Sequence, residues 1–163
     1  MDHVSEARLS LIYPALASKV RTMHDILELE GIEIRVVQGL RSWNEQDNLY
    51  AQGRTAPGKI VTNVKGGHSY HNFGLAVDCV PSTHTPDQPF DPDWNASHPA
   101  WKRMSDVGIS LGLVSGATWR TFPDAPHFQL SGRFKMGSPD DEVRQLFADG
   151  GMAAVWEEVT KSS

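Results

Sequence analysis

Leu16, Val20, Met23 and Leu27 recur at helical spacing, and Ile26 lies beside that stripe. Pro14 suits a first helical position and Gly31 the residue past a helix end, so a helix is predicted over 14–30. Ile32, Ile34 and Val36 then alternate with Glu33 and Arg35, which predicts a strand ending near Gly39. Ser42 and Glu45 have the spacing of a capping box, ahead of a second helix over 43–52 that stops at Gly53. Pro57, Gly58, Gly66 and Gly67 make 54–70 a loop, residues 74–80 have strand character, and 81–97, rich in Pro and Asp, reads as a surface insertion. Trp101, Met104, Val107, Gly108 and Leu111 form a third helical pattern. Short strands are predicted near 113–115 and 127–130. Ser138 as cap and Pro139 as first residue open a helix over 140–148, and a last helix covers 152–159. Helices and strands mix without regular βαβ alternation. The fold class is therefore α+β, a small, mostly antiparallel sheet flanked by helices.

A chain of 163 residues is the length of one domain, so 1–163 is expected to form a single one. With 39% hydrophobic and 21% charged residues, intrinsic disorder is not the default. The net charge of -5 gives no long-range attraction to phosphate backbones, which argues against nucleic acid as a general partner. Lys19, Arg21, Arg35, Arg41, Arg54 and Lys59 leave room only for a local basic patch. Cys79 is the one cysteine, so no intramolecular disulfide can form. The N-terminal residues lack a basic stretch, apolar run and cleavage site, and no apolar run approaches ~20 residues. A monomer made in the cytoplasm, without membrane insertion, is expected.

The chemistry concentrates in two segments. GGHSYHNFGLAVDCV, residues 66–80, holds His68, His71 and Asp78. In a strand, Ala76 and Asp78 share one face while Val77 and Cys79 take the other. A carboxylate at the end of an apolar strand is costly to bury unless paired or bound to a metal. Gly74 allows a sharp bend that could aim His71 back toward Asp78. FPDAPHFQL, residues 122–130, holds Asp124 and His127, with Pro123 and Pro126 restricting the backbone around them. Two histidines and one aspartate suit a zinc ion with one position left open. Asp124 could serve as a proton shuttle beside it. Spacing alone does not bring the two segments together.

Ser69 to Asp78, SYHNFGLAVD, is similar to the S-x-H-x-x-G-x-A-x-D signature of the D-Ala-D-Ala carboxypeptidase-like zinc peptidases, and Pro126 to Phe128 resembles their second metal segment. QGLRSWNEQDNLYAQGRTAPGKIVTNVKGG, residues 38–67, resembles the L-alanyl-D-glutamate endopeptidase branch, which includes phage endolysins and bacterial cell-wall hydrolases. The resemblance covers about residues 37–130. It implies the hedgehog/D-Ala-D-Ala-peptidase-like fold, one Zn2+ per chain held by His71, Asp78 and His127, and Asp124 as catalytic acid–base. Arg41 would steady the oxyanion, while Ser69 and Trp119 would bind substrate. The implied partner is bacterial peptidoglycan, cut at the L-Ala–D-Glu bond after release through a holin. The competing functions are a D-Ala-D-Ala carboxypeptidase or dipeptidase with the same metal site, and a non-catalytic wall-binding module.

The chain departs from the pattern at 114–119, VSGATW, where a Trp-Gly-Gly type of sequence is expected, and at Cys79, read as a small core residue. His68 is assigned a surface or substrate-facing role. Asp91, Asp93 and Asn95 imitate the start of a calcium loop but lack its Gly and Glu, so a solvated loop is predicted. Gln46 and Tyr50 are predicted to pack. His3, His24, His84 and His98 are assigned no role.

Overall fold

The computed structural model describes residues 1–82 and 90–161. Its elements are, in chain order, α1 (His3–Leu9), α2 (Pro14–Leu29), β1 (Glu33–Gln38), α3 (Trp43–Ala51), β2 (Ala76–Ser82), α4 (Pro99–Ser110), β3 (Val114–Ser115), β4 (His127–Gln129) and α5 (Asp141–Thr160). A 3-10 turn, Tyr70–Phe73, precedes β2. The chain divides into two compact units, one of Met1–Gly39 and Ala76–Leu130, the other of Leu40–Leu75 and Ser131–Ser163.

The first unit holds the whole sheet, in the order β1-β2-β4-β3 with each neighbouring pair antiparallel. The α+β expectation stands. The stripe Leu16, Val20, Met23 and Leu27 is fully buried, as are Ile34 and Val36 of β1 and Met104 of α4. Phe128 is buried as well: a methyl group added at Gly108 would come 2.4 Å from its ring and 3.4 Å from the Met23 sulfur. Volume is therefore matched at this point, and a larger residue at 108 would overpack the core.

The second unit is built around α3, the 3-10 turn and α5. Ser42 and Glu45 form the expected capping box, with the Ser42 N–H donating to Glu45 Oε2 at 2.7 Å. Phe73 packs edge-on against Phe147 and Trp43, at centroid distances of 5.5 Å and 6.3 Å. The Trp156 indole N–H donates to the Phe73 carbonyl at 2.8 Å, which ties α5 to the turn that carries His71.

Three expectations need correction. The sequence pattern gave no helix before Pro14, yet α1 is present, capped by the Asp2 carboxylate accepting from the Val4 and Ser5 N–H groups. With only Ser5 and Leu9 buried, it shows too little apolar periodicity to be seen. The cap of α5 is Asp140, not Ser138, and Asp141, not a residue before it, opens the helix. Asp140 accepts from the Val143 N–H, and Asp141 and Glu142 place further negative charge in the first turn, where the helix dipole favours it. The expected insertion at 81–97 begins too early, because Pro81 and Ser82 continue β2 and pair with Ile34 and Glu33. The rest of that expectation at 83–89, including His84, lies outside the described residues. The expected break between two C-terminal helices is real: Gly151 leaves helical geometry, at φ 66° and ψ -156°, within α5.

Candidate active site

The β2–β4 register sets the first part of the site. Asp78 lies directly opposite His127, and Ala76 opposite Gln129. Residues opposed across antiparallel strands share a face, so these four side chains stand on one side of the sheet, and Val77, Cys79 and Phe128 on the other. His127 Nδ1 is 3.4 Å from Asp78 Oδ1, and its Nε2 donates to Gln129 Oε1 at 3.0 Å. Burial works against a charged ring here. The hydrogen bond and negative charge of Asp78 outweigh it, and the pKa of His127 is raised above its ordinary 6.5. Cys79 is wholly buried; desolvation first, and the charge of Asp78 second, push its thiol well up. It is the small core residue expected of it.

The segment before β4 is folded around Gly116. The Gly116 carbonyl accepts from the N–H groups of Asp124, at 3.0 Å, and Trp119, at 3.1 Å. A side chain there would stand 2.5 Å from the Asp124 carbonyl oxygen and 3.0 Å from His127 Cβ. Glycine is thus required for Asp124 to sit against this turn. Although 114–119 departs from the expected sequence type, it keeps that one necessary residue. The His127 N–H donates to the Asp124 carbonyl at 3.1 Å, and the Cys79 N–H to that of Pro126 at 2.9 Å, so the segment is fastened at both ends. Trp119 lies with its ring centroid 5.0 Å from that of His127, and Asp124 is half-buried.

In the second unit, His71 is buried within the 3-10 turn. Gly74 closes that turn in the left-handed region, at φ 64°, and provides the bend expected before β2. The Arg41 N–H donates to the His71 carbonyl at 3.1 Å. Ser69 is buried at the N-cap position of the same turn. His68 is exposed, and its Nδ1 takes a hydrogen bond from Arg144 at 3.1 Å.

Two buried amides hold this arrangement, and the sequence did not single them out for it. Asn72 Nδ2 donates to the Arg41 carbonyl at 3.0 Å, while its Oδ1 accepts from the N–H groups of Gly67, at 3.0 Å, and Ser69, at 3.3 Å. One side chain therefore joins the backbone segments bearing Arg41, Ser69 and His71. Gln46, predicted only to pack, is fully buried and accepts from the Arg41 guanidinium at 2.8 Å while donating to the Val64 carbonyl at 2.9 Å. Tyr50 does pack, under the Arg54 guanidinium at 4.1 Å. Replacing Asn72 with Ala leaves several buried backbone groups without partners. A loss of about 2 kcal/mol is expected, a fall of roughly 4–8 °C in Tm for a chain of this size. Thermal denaturation checks it, and an unchanged Tm would deny Asn72 its structural role.

His71, Asp78 and His127 form a group able to hold a metal: each offers one ligand atom, and these lie within 4.8 Å of one another. Neither Cys79 nor His68 belongs to it. A second such group among the described residues, His24, Asp25 and Glu28 on α2, consists of one buried histidine beside two exposed acids, with His24 Nδ1 3.2 Å from Asp25. Such helix-surface neighbours are common without an ion.

Residues 10–117 match the VanY family, described as D-alanyl-D-alanine carboxypeptidase. The chain belongs to this family. The match includes Arg41, Ser69, His71 and Asp78 and stops short of Asp124 and His127. The peptidoglycan L-alanyl-D-glutamate endopeptidase CwlK of Bacillus subtilis (strain 168) is 32% identical over 122 residues, covering 73% of this chain and 73% of that protein. The crystal structure of the Serratia marcescens L-Ala D-Glu endopeptidase ChiX aligns with a TM-score of 0.49 at 22% identity, covering 79% of this chain and 87% of that one. No helix among the described residues is long and apolar enough to cross a membrane.

Proposed function

We propose that this member of the VanY family is a zinc peptidase that hydrolyses the L-Ala–D-Glu bond of peptidoglycan stem peptides, and that 1–163 acts as one catalytic domain. The grouping of His71, Asp78 and His127 carries the reading, together with the identity to an endopeptidase of that specificity. Two imidazoles and a carboxylate are a donor set of the catalytic zinc type. Bound there, zinc would polarise the scissile carbonyl and lower the pKa of water toward about 7.

The remaining roles fall to the chain's own groups. Asp124 takes the proton of the attacking water and returns it to the amine of the departing D-Glu. The Arg41 guanidinium, held by Gln46, stabilises the negative charge that develops on the carbonyl oxygen. Ser69 and Trp119 bind the stem peptide. The protein works as a monomer on the wall, which it reaches through a holin, with neither nucleic acid nor membrane as a partner.

Digestion of purified sacculi with mass analysis of the fragments tests this reading. New N-terminal D-Glu is expected. The family description favours a second activity, release of terminal D-Ala. Free D-Ala without new D-Glu termini would establish that one instead. Sacculi bound without any fragment released would mark a wall-binding module.

A pH dependence follows from His127. A metal must displace the proton that Asp78 stabilises on this ring. Zinc affinity should rise with pH, by about tenfold per unit below the raised pKa of His127, and level off above it. The metal-free fold has the opposite sense. A raised folded-state pKa gives stability that is full below the unfolded value and lost as pH rises through the folded one. Chelator competition across pH 6–8 measures the first effect, and affinity flat with pH would remove His127 from the ligand set.

A further inference from the structure

We infer that Gln129 is a positioning residue: its side-chain oxygen holds the proton of His127 on Nε2 and so leaves Nδ1, the nitrogen beside Asp78, to bind the metal. This rests on the zinc reading above and goes beyond the ligands themselves.

Gln129 is 1% exposed, at the end of the three-residue strand β4. Burying an amide is costly unless its polar atoms are used. The strand alternation puts it on the same face as His127, two residues on, and the register sets it opposite Ala76, whose methyl leaves room for a longer side chain. Oε1 lies 3.0 Å from His127 Nε2. A carboxamide oxygen can only accept, so the contact requires an N–H on Nε2. A neutral imidazole carries one N–H, and its lone pair then falls on Nδ1, 3.4 Å from Asp78 Oδ1. A ligating histidine whose other nitrogen is held in this way keeps both its tautomer and its ring orientation. Asp78 marks where the ion sits, and Gln129 sets which nitrogen meets it.

Two variants of the full chain separate acceptor from bulk. Gln129→Met keeps the volume and removes the acceptor, and Gln129→Glu keeps an acceptor at the same reach. Zinc affinity is read by competition with a chromophoric chelator, and the His127 ring nitrogens by 15N NMR. Gln129→Met should weaken zinc binding by about 10–100-fold, and Gln129→Glu should stay within about threefold of the parent. In the zinc-loaded parent the ring proton should be found on Nε2. Parent-like affinity in Gln129→Met would overturn the inference, as would a Gln129→Glu as weak as Gln129→Met, or an Nε2 without its proton. If Gln129→Met does not fold, as judged by circular dichroism, the Glu variant and the ring spectrum still decide. A parent that binds no zinc at any pH would instead bring down the zinc reading, a result plainly different from a parent that binds zinc with Gln129 irrelevant to it.

Discussion

His71→Ala is expected to lose zinc and, with it, all hydrolysis of sacculi. Four-ligand structural sites hold zinc by about 10–16 kcal/mol, so each ligand is worth roughly 3 kcal/mol and its loss costs about a hundredfold in affinity. The proposed set has three ligands, and two of them, Asp78 and His127, already approach each other at 3.4 Å when the third is gone. They would close on themselves as an ion pair and leave little reason for the metal to enter. The substitution should cost less in folding, because the turn is held by backbone bonds of residue 71 that Ala retains: Arg41 N–H to the His71 carbonyl, and Gly74 N–H to the same oxygen. Metal analysis after dialysis, alongside a melting curve of the metal-free protein, checks both halves. Full occupancy in folded His71→Ala would remove His71 from the ligand set. Loss of folding along with the metal would show instead that the ring supports the turn.

How much of this was written in the sequence depends on the range of the interaction involved. Local devices were legible. The capping box of Ser42 and Glu45, the stripe from Leu16 to Leu27, the bend at Gly74 and the inward face of Cys79 all follow from spacing within one element, and the structure has each of them. The link between Asp78 and His127 was not local. It arises from the register of β2 against β4, and nothing in either segment states that residue 78 will lie opposite residue 127. Only resemblance to a family links the two segments from the sequence, and the VanY family match ends before His127. The sheet register supplies a physical reason for the pairing.

The amides were illegible for a different reason. Asn72, Gln46 and Gln129 fit no apolar period, and a lone polar residue in a strand or helix reads as surface or filler. Their significance lies in being buried with partners on other segments, as Asn72 is with Arg41 and Gly67. The same limit hid α1, whose few buried positions give no stripe, and misplaced the start of α5, where Ser138 and Asp140 are equally good caps by type.

Asp124→Asn tests the reaction rather than the metal. Asparagine keeps the size of the side chain, and the backbone bonds that place residue 124, to the Gly116 carbonyl and from the His127 N–H, do not involve the carboxylate. The variant should fold and bind zinc as the parent does. It cannot take a proton from water or give one to the leaving amine, which should lower kcat by about 10²–10⁴-fold, equivalent to roughly 3–5 kcal/mol of barrier. KM should change little, since the group acts on a proton in flight rather than on the resting substrate. The acid–base role also predicts that the carboxylate's titration disappears from the pH profile of kcat. Parent-level kcat in zinc-loaded Asp124→Asn would assign the proton transfer to another group. Equal falls in zinc content and kcat would show that the carboxylate of residue 124 acts by supporting the metal site and not by proton transfer. The ratio of kcat to bound zinc separates the two, because a group that only supports metal binding leaves turnover per metal-loaded molecule unchanged.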